Sequence, residues 1–449
     1  EWKNYGILLS TPSDEACKLY DASLNQFLGW FDDVSVGGLE KSLKNMIEAD
    51  PYFVMGHCLM LGLEFVGTGR SVKLDSEFKS QIDNLKVMAE RQSLTKSEKK
   101  HVDAIVHLAK NDFSSAATCF EEILLESPTD IHALKMAQDM YFFTGQLPDM
   151  KDSVARVVPF WESSNLPMKS YVHGLYAFGL EENNFYRKAE VEARKALEMN
   201  ANDAWATHAV AHVCEMEGRI DDGINFLDKT SSDWKVGEYL AAHNFWHWAL
   251  YLIEKDDYDS AYDIFTSEVL RRTIEAKSIF NIVDATSLLY RLELTEGVRR
   301  NNSEYWDQLY AVCKPHLQDH ITAFNDCHFL MALLGKKNYS EANELLDSLV
   351  LSEDIILGKN VVRPLLNAMI QFEREQYATA VGILLPLKYK LVEMGGSNAQ
   401  RDLFNQLLIM AAIKSTDSAH HILAKRLVIE RQALKPSPLG DRILSFENK

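Results

Sequence analysis

Two stretches decide the fold: AWATHAVAHVCEMEGRIDDGINFL (204–227) and AAHNFWHWALYLIEKDDYDSAYDIF (241–265). Each reads as a helix, a short polar turn and a second helix. His208 and His212 are four residues apart in the first, and His243 and His247 are four apart in the second. Such a pair stacks on one helix face, a turn apart. His173, His208 and His243 recur at 35-residue intervals. That period is close to the 34 residues of the tetratricopeptide helix-turn-helix unit.

The same unit can be followed in both directions. A turn at Asn111-Asp112 precedes Phe113, Ala116, Phe120 and Ile123, and Pro128 closes the second helix. The small Ala lets antiparallel helices approach, and the aromatics fill the groove between them. IHALKMAQDMYFFTG ends on Gly145, a turn residue. Tyr186, Ala189, Ala193 and Ala196 mark another unit, and ITAFNDCHFLMALLGKKNYSEANELL and AMIQFEREQYATAVGILL mark two more. No run alternates strictly as a half-buried strand would. The expected fold is all-α: a right-handed tetratricopeptide-like solenoid of about eight or nine helix pairs with atypical capping helices. We read 1–449 as one solenoid, with N-terminal capping helices over 1–95, regular repeats over 96–270, and less regular repeats plus a C-terminal cap over 271–449. Surface loops are expected over 293–305 and 351–360.

Local signals place several helix ends. Ser13-Asp14-Glu15 opens a helix with acidic residues, and Thr95 with Glu98 forms a capping box. Gly67-Thr68-Gly69 follows a helix rather than a strand, so it reads as a helix end with a turn, not a phosphate loop. Gly395-Gly396-Ser397-Asn398 precedes a helix. It is either a long turn capped by Ser397 or Asn398, or an anion site on free amides assisted by Arg401.

Composition excludes several classes. The 449 residues carry 65 acidic against 47 basic side chains, a net charge of −18. That balance argues against nucleic acid and against an anionic membrane surface. No stretch approaches the roughly 20 apolar residues that span a bilayer. The start, EWKNYGILLSTPSDE, lacks a basic flank, so no secretory signal is expected. Cys17, Cys58, Cys119, Cys214, Cys313 and Cys327 show no paired spacing and read as reduced, mostly buried thiols of a cytoplasmic protein.

If Pro128 ends one unit, Asp139 falls near the middle of the next first helix. His173, His208, His212, His243 and His247 follow at similar places, then Asp284, Asp326 and His328. Arg401 and Asp402 could close the row from the C-terminal side. These residues are expected to line a His/Asp channel that takes a protein or small-molecule ligand. The alternative is an enzyme using that channel, a metal-assisted hydrolase or lyase acting on a small metabolite. No cofactor is specified, although paired histidines admit a bound divalent metal. The HExxH metalloprotease helix is absent, because Ala209 stands where its Glu would be. Two outcomes are distinguishable. Either each His has its own carbonyl or carboxylate partner, or the imidazoles converge on one ligand.

SDEACKLYDA, FVMGHCLMLG, GTGRSVKLD, NDAWATHAVAHVCEM, HNFWHWALYLIE, FNDCHFLMALL, GGSNAQRDLFNQLL and ERQALKPSP together resemble the tetratricopeptide repeat protein 38 family. The resemblance covers nearly the whole chain. It implies an all-helical repeat protein and carries over no catalytic residues. The Lys, Arg and Asn grip of chaperone-binding peptide clamps is replaced here by His and Asp.

Overall fold

Helix starts follow their capping residues. Ser13, Asp75, Thr95, Asp112, Asp130, Asp257, Ser278, Thr322, Ser397 and Asp417 each accept a backbone N–H in the first turn of the helix they precede. Such caps satisfy donors that the helix itself leaves open. Thr95/Glu98 and Ser397/Gln400 complete capping boxes. Thr68 and Gly145 stop their helices in the left-handed conformation. The computed structural model describes residues 7–297, 300–352 and 358–446. Among them no strand forms, and the chain is a tetratricopeptide-like succession of helix pairs. The helices that carry the candidate residues begin at Ile131, Lys169, Ala204, Glu238, Ile279, Ala323 and Asn398.

The loop expected over 293–305 is shorter. Helix Ile279–Thr295 runs into it, and the next helix starts at Ser303. Thr295 is held by its hydroxyl on the Arg291 carbonyl. In the 351–360 stretch, helix Tyr339–Ser352 occupies the start and helix Lys359–Glu373 the end; 353–357 lie outside the described residues. A π-turn, Phe265–Leu270, interrupts the helix that begins at Tyr258, which the periodicity did not indicate.

The chain forms two compact units. The first comprises 1–209 and 232–241, and the second 210–231 and 242–449. In the first unit, Ala189, Ala193 and Ala196 are fully buried along helix Tyr186–Met199 and pack against helix Lys169–Glu182. Gly179 is needed for close approach: a Cβ there would sit 2.9 Å from the Lys151 Cα. The second unit has an equivalent point at Gly335, where a Cβ would lie 2.2 Å from the buried Trp306 ring. Five of the six cysteines are buried, and among the described residues none forms a disulfide.

Candidate functional site

The polar interior of the second unit is built on helices Ala204–Met216, Glu238–Glu254 and Ile279–Thr295, with residues Arg431–Ser437 threaded against them. His212, His243 and His247 offer ligand nitrogens that all lie within 4.8 Å of one another. The rings of His212 and His247 are 4.3 Å apart, and those of His243 and His247 4.9 Å. His212 and His247 are fully buried, and His243 is 12% exposed at its side chain.

Carboxylates orient two of these rings. Asp284 accepts from His243 Nδ1 at 2.8 Å, and Glu215 accepts from His247 Nδ1 at 2.7 Å. Each contact fixes the tautomer and leaves Nε2 with the lone pair. Burial pushes His247 below its ordinary pKa despite the Glu215 contact. Burial and the neighbouring His247 and His243 push His212 well below its own. These imidazoles are therefore neutral at pH 7, the form that binds metal.

Behind the histidines is a charged layer. Lys435 donates to Glu215 at 2.8 Å and lies 3.7 Å from Glu254. Glu254 also accepts from Ser437 at 2.8 Å and from the Leu439 amide at 3.0 Å. Arg431 grips Asp402 through Nε at 2.9 and 3.1 Å and Nη2 at 2.7 Å. Burial raises the Asp402 carboxyl, but Arg431 outweighs it and holds the group at about 2. Burial likewise raises Glu215, which Lys435 and His247 hold well below the usual carboxylate range. Arg291 donates to the Ala399 and Gln400 carbonyls at 2.7 and 3.0 Å and lies over the Trp246 ring at 5.0 Å. Burial lowers it to about 10. Four carboxyl groups thus face three cationic side chains in this interior.

The remaining candidates have neighbours of their own. His173, in the first unit, meets Glu192 at 2.7 Å and Glu162 at 3.3 Å, within an ion-pair cluster that includes Lys195. His208 is one turn before His212 on the same helix, in the first unit's share of it, and packs against Phe178 and Trp205. Asp326 accepts from His320 at 3.1 Å. His328 donates Nδ1 to the Phe324 carbonyl at 2.6 Å, and burial lowers it to about 4. Arg401 binds the Gly395 and Gly396 carbonyls and Asn398. It supports the turn that Ser397 caps, so its role there is structural rather than anion-binding. Asp402 belongs to the Arg431 pair.

The sequence reading noted Glu215 without giving it a role and missed Arg291, Glu254, Arg431 and Lys435. Their signal was present: Glu254 ends the otherwise apolar run FWHWALYLIE, and Arg291 interrupts SLLYRLEL. Each is a charge on a helix face that must be buried.

These helix pairs define an all-α, tetratricopeptide-like helical-repeat protein. No family model matches the chain. The crystal structure of yeast Tom70 is similar over 94% of this chain and 89% of its own, at 11% identity and a TM-score of 0.42. The human IFIT1 dimer with m7Gppp-AAAA is similar over 98% of this chain and 96% of its own, at 14% identity and a TM-score of 0.37. Likeness at that level says nothing about the site. Among the described residues no helix is long and apolar enough to cross a membrane.

Proposed function

We propose that this helical-repeat protein binds a divalent transition metal on His212, His243 and His247, and that the ion is the anchor of its small-molecule ligand site. The observation that carries this reading is the convergence of three imidazoles, two oriented through Nδ1 by Asp284 and Glu215. Carboxylate-oriented imidazoles are the usual second layer of a zinc site. Three nitrogen donors are the protein ligand count of zinc sites that accept a small ligand. In a tetrahedral site with bonds of about 2.1 Å, the donors would be about 3.4 Å apart, so modest side-chain rotation closes the 4.8 Å spread. The interior's excess of one carboxyl group over its cationic side chains favours a bound cation.

The three-donor count also supports the second reading, a metal-assisted hydrolase or lyase on a small metabolite. Cysteines without a disulfide fit a reducing, cytoplasmic setting. The extended string match supports membership of the tetratricopeptide repeat protein 38 family.

The test is metal titration of the purified protein. About one equivalent of Zn2+ should bind, and Co2+ should give the visible absorption of a nitrogen-coordinated site. His212→Ala and His247→Ala should each weaken binding by at least tenfold, whereas His173→Ala should leave it unchanged. Folded protein that takes up no metal, or variants that bind as the parent does, would overturn the reading.

A further inference from the structure

The first unit contains a second polar interior, unrelated to the histidines discussed above. A cavity of about 180 Å³ lies beneath the segment Ile7–Leu9. A single water needs only about 15 Å³, so the space suits a small organic molecule. Its apolar wall includes Ile7, Leu9 and Met55, and its polar wall is Glu98, His101 and Asp130. Glu98 and Asp130 are buried at 2% and 4% exposure. The cation of the lining, Lys96, is exposed and pairs with Glu126.

Two buried carboxylates dominate the polar wall. Asp130 takes one hydrogen bond from the Ala133 amide at 2.9 Å and another from His101 Nε2 at 3.2 Å. Nδ1 is the other polar atom of the His101 ring. That atom is buried, in a side chain 1% exposed, and has no hydrogen-bond partner among the described residues. Glu98 accepts from the Ser10 amide and hydroxyl, both at 2.6 Å, which fixes the segment over the cavity. Behind His101 stacks His132 at 4.7 Å, which burial pushes down to about 3, so it adds no positive charge. A ligand satisfying this wall must be a donor, must be positively charged, and must have an apolar end. No set of three metal-ligating groups forms here among the described residues, which disfavours an inorganic ion.

We propose that this cavity is a binding site for a small primary alkylammonium. The ammonium would sit against Asp130, Glu98 and His101 Nδ1, and the alkyl end against Ile7, Leu9 and Met55.

The probes are n-butylammonium, 1-butanol and butyrate, titrated into the full chain by calorimetry and ligand-observed NMR. Asp130→Asn removes charge and keeps the helix cap, whereas Glu98→Gln removes charge but keeps only one of the two oxygens that accept from Ser10 and Thr95. Butylammonium should bind with at least tenfold higher affinity than butanol, and butyrate should not bind. The double variant should lose at least tenfold in amine affinity while retaining the parent's circular dichroism spectrum. His212→Ala should have no effect. Equal binding of amine and alcohol to the parent, or an unaltered amine affinity in the double variant, would overturn the assignment. The first comparison needs no variant, so a misfolded variant does not blunt it.

Discussion

Asp402 in the second unit and Asp203 in the first are both carboxyls inside protein, yet they have opposite fates. Asp402 receives three hydrogen bonds from Arg431 and is held at about 2. Asp203 caps a helix through the Ala206 amide at 3.0 Å and has no cation beside it among the described residues, so burial pushes it up to about 7. Lys135 and Asp139 extend the contrast. They pair inside the first unit, the ammonium 4.9 Å from both the Phe27 and Trp205 rings; burial lowers the lysine and raises the aspartate. Both shifts reduce the charge separation. The Arg431 network keeps charge inside, whereas Asp203 and the Lys135–Asp139 pair approach neutrality. Enough partners for each ion is what separates the outcomes.

The largest effect should come from breaking the network. Arg431→Leu strands Asp402 and Glu254 without their guanidinium, and removing one partner of a buried pair costs about 3–5 kcal/mol. Lys135→Met should cost less than half of that, because Asp139 is already biased toward its neutral form. Urea unfolding of both variants checks this. Equal losses would erase the contrast.

The next effect depends on pH, with opposite signs in the two units. Asp203 has a folded pKa raised above its unfolded value near 3.8, so folded protein holds a proton that unfolded chain has lost. Its contribution is most favourable below pH 3.8 and declines as pH rises to 7, by up to about 4 kcal/mol. Asp402 is depressed. Its contribution is fully present above pH 3.8 and is lost as pH falls toward 2, about 2 kcal/mol in all. Asp203→Asn should therefore raise the melting temperature at pH 8 and change it little at pH 4. Asp402→Asn should lower it at pH 7 and matter least near pH 2. A stabilisation by Asp203→Asn that is the same at both pH values would sink the first claim.

A smaller change sharpens the comparison within the first unit. Tyr20 donates to His132 Nδ1 at 2.8 Å, inside the layer behind the cavity. Tyr20→Phe leaves that buried nitrogen unsatisfied and should cost about 1–3 kcal/mol. Chemical denaturation would show it. A loss below about 0.5 kcal/mol would mean that the hydroxyl is not holding the ring.

The helix pairs were legible because their signals are local: Ala and aromatic spacing, Asp and Thr caps, turn residues such as Asn111 and Gly145. Of the site, the i,i+4 doubling pointed to His212, His243 and His247, and the succession of first helices placed Asp284 further along the same row. Glu215, Arg431 and Lys435 were not assigned because their partners are remote in sequence. Lys435 reaches Glu215 across 220 positions, and nothing in ERQALKPSP specifies that contact. The same reading grouped His173, His328 and Arg401 with the cluster on spacing. Their own neighbours hold them instead: Glu192, the Phe324 carbonyl and the glycine carbonyls at 395 and 396. Periodicity gives a residue's place along a helix, but its partner depends on what the adjoining helices present.

The smallest expected effect compares one capping box from each unit. Thr95 accepts from the Glu98 amide at 3.2 Å, and Ser397 accepts from the Gln400 amide at 3.1 Å. The two bonds are alike in chemistry and differ in surroundings: Thr95 is partly exposed, whereas Ser397 is 1% exposed. When Thr95→Ala removes the acceptor, water can reach the freed N–H, so the loss should be near the low end for caps, about 0.5–1 kcal/mol. When Ser397→Ala does so, the freed amide stays buried and the loss should approach about 2 kcal/mol. Hydrogen exchange at the Glu98 and Gln400 amides tests the cause directly. Both should lose protection in their own variant, and only Ser397→Ala should lower global stability by more than about 1 kcal/mol. If the two variants lose the same stability, burial is not what sets the cost of a cap in this protein.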